Sequence, residues 1–142
     1  MNTEVKQRTE AEHLFADLDK PSLHGLSYAL RHPDTWPNGF VWNYKRCQSC
    51  AIGLAHQLWN SIPSTGDPRT GATIMARSFA MPYGASENIF LGKGPWCPRK
   101  TWTKIEGFLW WKKRVQRSQD DFDAVTPEMV ADQIDKYLAT VE

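Results

Sequence analysis

Ser49-Cys50-Ala51-Ile52-Gly53-Leu54-Ala55-His56-Gln57-Leu58-Trp59 reads as a helix that packs on more than one side. Ile52, Ala55 and Trp59 recur at the spacing that stacks side chains on one helical face, with Leu54 and Leu58 beside them. Ala51, Gly53 and Ala55 are small enough to let a neighbouring backbone come close. A central helix of this kind needs other helices around it, and the flanking sequence supplies them.

Upstream, residues 32–46 break the helical period. Pro33, Pro37, Asn38 and Gly39 are turn formers, while Trp36, Phe40, Trp42 and Tyr44 are too apolar for a free linker. The expectation is an ordered aromatic loop, with a short extended piece at 40–44. Before it, Ser22 can cap a helix that turns Leu23, Leu26, Tyr28 and Leu30 inward and closes at Pro33. An earlier helix is expected after Thr9, with Leu14, Phe15 and Leu18 as its stripe and Pro21 as its end. Downstream, residues 60–71 are rich in Pro, Gly, Ser and Thr and read as a surface loop. Helices are then expected over 72–81, burying Ile74, Met75 and Phe79, and over 84–91, burying Ile89 and Phe90. The last helix has Thr126 as N-cap, Pro127 at its first position and Glu128 at the positive end of the dipole; Met129, Val130, Ile134, Tyr137 and Leu138 form its stripe.

These elements predict a mainly α, compact single domain over residues 1–142. It is a bundle of five to six helices with an ordered aromatic loop and room for a small β-hairpin. Residues 92–123 form a basic-aromatic elaboration whose secondary structure the pattern leaves open.

At 142 residues and 16.3 kDa the chain is one domain's worth of polypeptide. A formal net charge of +1 gives no chain-wide basic field of the sort that marks a nucleic-acid binder. No apolar run approaches a membrane span, and residues 1–12 have no apolar stretch for a secretory signal, so a cytoplasmic protein is expected. Three cysteines make an odd, small set that reads as thiols first. Seven tryptophans suit both an interior and a partner surface, because indole combines a large apolar area with one donor.

Pro33-Asp34-Thr35-Trp36-Pro37-Asn38-Gly39, followed by Cys47-Gln48-Ser49-Cys50-Ala51-Ile52-Gly53-Leu54, resembles a family of small bacterial and phage proteins of unknown function. The closing helix Thr126-Pro127-Glu128-Met129-Val130-Ala131 is similar to theirs as well. The resemblance implies a shared helical fold and brings no activity, catalytic residue or partner. Residues 92–123 have no counterpart in it.

Two chemical readings attach to the cysteines. Cys47-Gln48-Ser49-Cys50 is superficially similar to the nucleophile run of papain-like peptidases, and a helix N-terminus at Cys50 would favour thiolate. A cysteine-dependent hydrolase with Cys50 as nucleophile is therefore one alternative. It needs a histidine base, yet His56 lies in the same helix, roughly 240° round from Cys50. The other histidines, at 13, 24 and 32, precede the cysteine. A structural zinc site is the second alternative, with Cys47 and Cys50 gripping one ion, Cys97 as third ligand and His32 or His56 as fourth. A second cysteine pair is missing, so the expectation is no cofactor. Redox use of Cys47 and Cys50 lacks the βαβ context of thioredoxins.

The third constellation leads. Residues 93–117 hold eight of the seventeen basic side chains and one acid, Glu106. Aromatics are interleaved with them, Phe108 and four tryptophans. Cations attract phosphates or acidic surfaces, while aromatic faces stack on bases or anchor a hydrophobic contact. The bland alternatives are that the aromatics are core, or that Asp120, Asp121 and Asp123 neutralise the cluster. The chain is accordingly read as a non-enzymatic interaction protein, a bacterial or phage accessory factor such as an inhibitor or assembly component. Its partner-binding residues are Lys93, Trp96, Arg99, Lys100, Trp102, Lys104, Trp110, Trp111, Lys112, Lys113, Arg114 and Arg117. A protein partner is expected first and nucleic acid second. The reading requires Trp110, Trp111, Lys112 and Lys113 to be exposed.

Overall fold

The structure, a computed structural model, describes residues 21–46 and 48–141. The helix expected after Thr9, His13 and Cys47 lie outside the described residues. Five α-helices and one antiparallel hairpin follow, a mainly α single domain.

Helix α1 (Leu23–Arg31) starts where Ser22 caps it, the hydroxyl accepting from the Gly25 N–H at 3.3 Å. It buries Leu26, Ala29 and Leu30 completely. Its main partner is α5 (Pro127–Val141), which buries Val130, Ala131 and Ile134. Thr126 caps α5 by accepting from the Met129 N–H at 3.2 Å. Arg31 joins the two helices through Asp132 at 2.7 Å and Asp135 at 2.6 Å, and the Ser27 hydroxyl donates to Asp135 at 2.7 Å.

Helix α2 (Ala51–Leu58) is the central one, with Ala51, Leu54 and Ala55 fully buried. Trp59, its C-cap, is also fully buried and meets Phe79 edge-to-face at 5.8 Å. Helix α3 spans Pro68–Ser78, four residues earlier than the period of its apolar stripe suggests. The cause is local: Asp67 accepts from the Arg69 N–H and the Thr70 hydroxyl, and Pro68 takes the first helical position. The extra turn brings Gly71 against α2, where an added Cβ would sit 2.9 Å from Ile52 Cδ1. At the other end Ala80 holds φ 53°, and the Met81 N–H reaches back to the Ala76 carbonyl at 2.9 Å. This is a left-handed helix stop built on alanine where glycine is usual. Helix α4 (Tyr83–Phe90) is tied to α3 by the buried Ser86 hydroxyl, which donates to the Ala72 carbonyl at 2.7 Å.

The aromatic loop contains a 3-10 turn at Pro33–Thr35, and residues 40–44 pair in no strand. Side chains hold it instead of a backbone ladder. Trp36 Nε1 donates to the Ala29 carbonyl at 2.7 Å, Trp42 Nε1 to Val125 at 2.9 Å, and the Tyr44 hydroxyl to Ile89 at 2.7 Å. Each indole or phenol packs its ring on the core and satisfies a backbone carbonyl.

Strand β1 (Arg99–Glu106) pairs antiparallel with β2 (Lys113–Asp120), in register from Arg99 opposite Asp120 to Glu106 opposite Lys113. The connection contains a 3-10 turn at Leu109–Trp111. Gly107 has φ 120°, and a Cβ there would lie 2.6 Å from the Trp111 carbonyl oxygen, so only glycine fits. Among the described residues neither strand packs extensively on a helix, and every strand residue except Glu106 and Val115 is exposed. The hairpin leaves the body as an arm. Among the described residues no helix is long and apolar enough to cross a membrane.

Candidate interaction surface

Alternation along paired strands sorts the arm's side chains onto two faces. Lys100, Trp102, Lys104 and Glu106 of β1 share one face with Lys113, Val115, Arg117 and Gln119 of β2. Arg99, Thr101, Thr103 and Ile105 share the other with Arg114, Gln116, Ser118 and Asp120. Cross-strand bonds agree with this sorting. Arg99 reaches Asp120 at 2.9 Å and Ser118 at 3.1 Å on one side, and Arg117 pairs with Glu106 on the other. That pairing holds the Glu106 carboxyl below the usual carboxylate range.

The carboxylates that follow the cluster neutralise its base and leave its length charged. Asp120 takes Arg99, and Asp123 turns to Lys45 of the aromatic loop at 2.9 Å. Lys100, Lys104, Lys112, Lys113 and Arg114 form no ion pair with a described residue.

Apolar exposure concentrates toward the tip. Trp110 is 86 % exposed, Phe108 and Ile105 64 %, Trp111 60 % and Trp102 42 %. No indole N–H of the three tryptophans donates to a described residue. Lys112 and Lys113 are exposed beside them. Trp96 is placed differently: it packs against the core, donates to the Asn88 carbonyl at 2.7 Å and meets Tyr44 edge-on. Lys93 is exposed but lies before the arm, so the continuous surface runs from Arg99 to the tip and back. Ile105 escaped the sequence reading. Its signal was the run Trp102-Thr103-Lys104-Ile105, rich in strand formers, just ahead of Gly107.

The cysteines sit elsewhere. Cys50, 2 % exposed, lines an apolar pocket of about 320 Å³ with Tyr44, Ile52, Phe90 and Phe122. Among the described residues no histidine or carboxylate lines that pocket. His56 turns Nδ1 to the Ile62 carbonyl at 2.6 Å and lines a separate cleft with Gln48, Gln57 and Ser64; His32 Nδ1 lies 2.7 Å from the Tyr28 carbonyl. Burial, with help from Asp120, pushes the Cys97 thiol up, away from the thiolate a ligand or nucleophile needs. Burial, with Cys50 and Cys97 nearby, pushes the Tyr44 phenol far above its ordinary range. Among the described residues no three His, Cys, Asp or Glu side chains converge as metal ligands, and Cys47 is not among those residues.

No protein-family model matches the chain, and no curated protein or solved structure is significantly similar to it.

Proposed function

We propose that the protein is a non-enzymatic interaction module that engages a macromolecular partner through the projecting hairpin. The observation that carries the reading is the pairing of a solvated two-stranded arm with a cluster of large apolar side chains at its end. A lone hairpin is marginally stable in water, and its stability normally comes from a buried face. Among the described residues neither face is buried by the helices. Three exposed rings in the connection between the strands, those of Phe108, Trp110 and Trp111, are the kind of apolar exposure that marks a contact site. The enzyme alternative at Cys50 has less support, since among the described residues the pocket beside it offers neither a histidine nor a carboxylate.

The test is site-specific photocrosslinking in the cell of origin. A photoreactive phenylalanine analogue replaces Trp110 in one variant and the exposed Tyr83 of the body in another. Adducts from position 110 and none from position 83 support the arm as the docking element. Equal yields from the two positions, or none from 110, overturn it.

A further inference from the structure

We infer that the arm's partner is double-stranded DNA, bound along the strands by the cations and at the tip by the aromatics. The inference rests on the arm being the docking element.

Charge carries it first. Residues 99–120 hold seven cations and two carboxylates, a net +5, whereas the remaining residues hold ten and fourteen, a net −4. A chain near neutrality has thus segregated its charge, and the arm alone is complementary to a polyanion. Both carboxylates are occupied by arginines, Asp120 at the base and Glu106 across the ribbon. The lysines remain open.

Composition then separates the candidate partners. Protein interfaces are depleted in lysine and centre on an apolar patch. On the cationic face the apolar residues are Trp102 and Val115 alone, between Lys100, Lys104, Lys113 and Arg117. An anionic membrane would meet the tip, and cations near the tip would suffice to hold it. These cations instead run the whole length of the strands, about 27 Å at roughly 3.3 Å per residue. That distribution fits an elongated partner lying along the ribbon.

Geometry separates duplex from single strand. Proteins that hold single strands stack successive bases on successive aromatics. The strand faces carry one aromatic, Trp102, and the others gather at the tip. Lys100 and Lys104 form one row on β1, and Lys113 and Arg117 a second row on β2. Two parallel rows can meet the two phosphate backbones that border a groove. The exposed rings of Phe108, Trp110 and Trp111 are then placed to wedge at a base step, as apolar side chains do in groove-binding proteins that kink DNA. Binding of this kind is independent of sequence and weakens with salt.

The experiment is fluorescence anisotropy with the full chain and a labelled DNA duplex of about 20 base pairs. The same strand unpaired and vesicles of mixed phosphatidylserine and phosphatidylcholine serve as competing probes. With three phosphate contacts, from Lys100, Lys104 and Lys113, raising salt from about 50 to 200 mM should lower duplex affinity on the order of 40-fold. The double variant Lys104→Gln/Lys113→Gln should flatten the log–log salt slope by about 2. Glu106→Gln frees Arg117 and should strengthen binding several-fold, which a merely structural ion pair would not do. Trp110→Ser should weaken binding while leaving the slope unchanged. Far-UV circular dichroism of each variant confirms the fold. Tighter binding to the single strand or to the vesicles overturns the inference. So does a salt-insensitive duplex interaction. Position-110 crosslinks to a protein, without duplex binding, overturn the inference and leave the docking arm standing.

Discussion

In the helical body tryptophans close the interior, whereas in the hairpin they face solvent. Trp59 is fully buried, and Trp36, Trp42 and Trp96 each donate an indole N–H to a backbone carbonyl. Trp102, Trp110 and Trp111 have no such bond with a described residue. Trp36, Trp42 and Trp96 tie loop segments to backbone carbonyls of the body, so their ring area and their donor are both used in folding. Those in the arm contribute little to folding and are available to something else. The chain thus places a packed helical body and a solvent-exposed arm side by side, with the boundary at Pro98 and Asp121, where the Asp121 N–H donates to the Pro98 carbonyl at 2.7 Å.

The largest expected effect tests the body side. Trp59→Ala should cost about 3–5 kcal/mol, read by chemical denaturation, because it empties the centre of a packed core. Trp110→Ala and Trp111→Ala should each stay within about 0.5 kcal/mol in the same assay. A cost above about 1.5 kcal/mol at Trp110 would break the division, making the arm part of the folding unit.

Alkaline titration sharpens it next. An unfolded tyrosine ionises near pH 10, and Tyr44 in the folded protein ionises well above that. Above about pH 10 the unfolded chain releases a proton that the folded chain retains, so stability is full below that pH and falls above it. The slope reaches about 1.4 kcal/mol per pH unit. Tyr44→Phe should remove this slope, and pH-dependent denaturation midpoints measure it.

The backbone strain at Ala80 gives a smaller effect of opposite sign. Ala80→Gly should stabilise by about 1 kcal/mol, seen as a higher melting temperature, since glycine adopts positive φ without a Cβ clash. Native-state hydrogen exchange completes the series. Amides of β1 and β2 should exchange with opening free energies far below those of α1 and α2, because the strands lack buried cover. Equal protection would mean that the arm is held by the body more firmly than its exposure implies.

Much of the body was legible. Ser22, Thr126 and Pro127 announce helix starts by the hydrogen bonds and φ angles they supply, and the stripes of α1, α2 and α5 repeat at the helical period. The start of α3 was hidden because Asp67 and Pro68 sit in a stretch rich in loop formers, although the pair is itself a cap signal. The hairpin gave no clear strand pattern. Period-2 alternation appears when one face is buried and the other wet, and here both are wet. The charge of the arm could be counted from the sequence, but its arrangement into two rows required the register.

By itself, the sequence determined the stripes of α1, α2 and α5, the caps at Ser22 and Thr126 and the clustering of cations and aromatics within residues 93–117, since each depends on neighbours within a few positions. Only the tertiary structure decided which tryptophans are core. Trp96 and Trp102 lie six residues apart in the same basic-aromatic stretch. Trp96 is drawn inward because Tyr44 and the Asn88 carbonyl lie where its ring arrives. Trp102 is carried outward by a strand that, among the described residues, packs chiefly on the other strand. Burial depends on what the rest of the chain brings to the same place, and local sequence does not encode that.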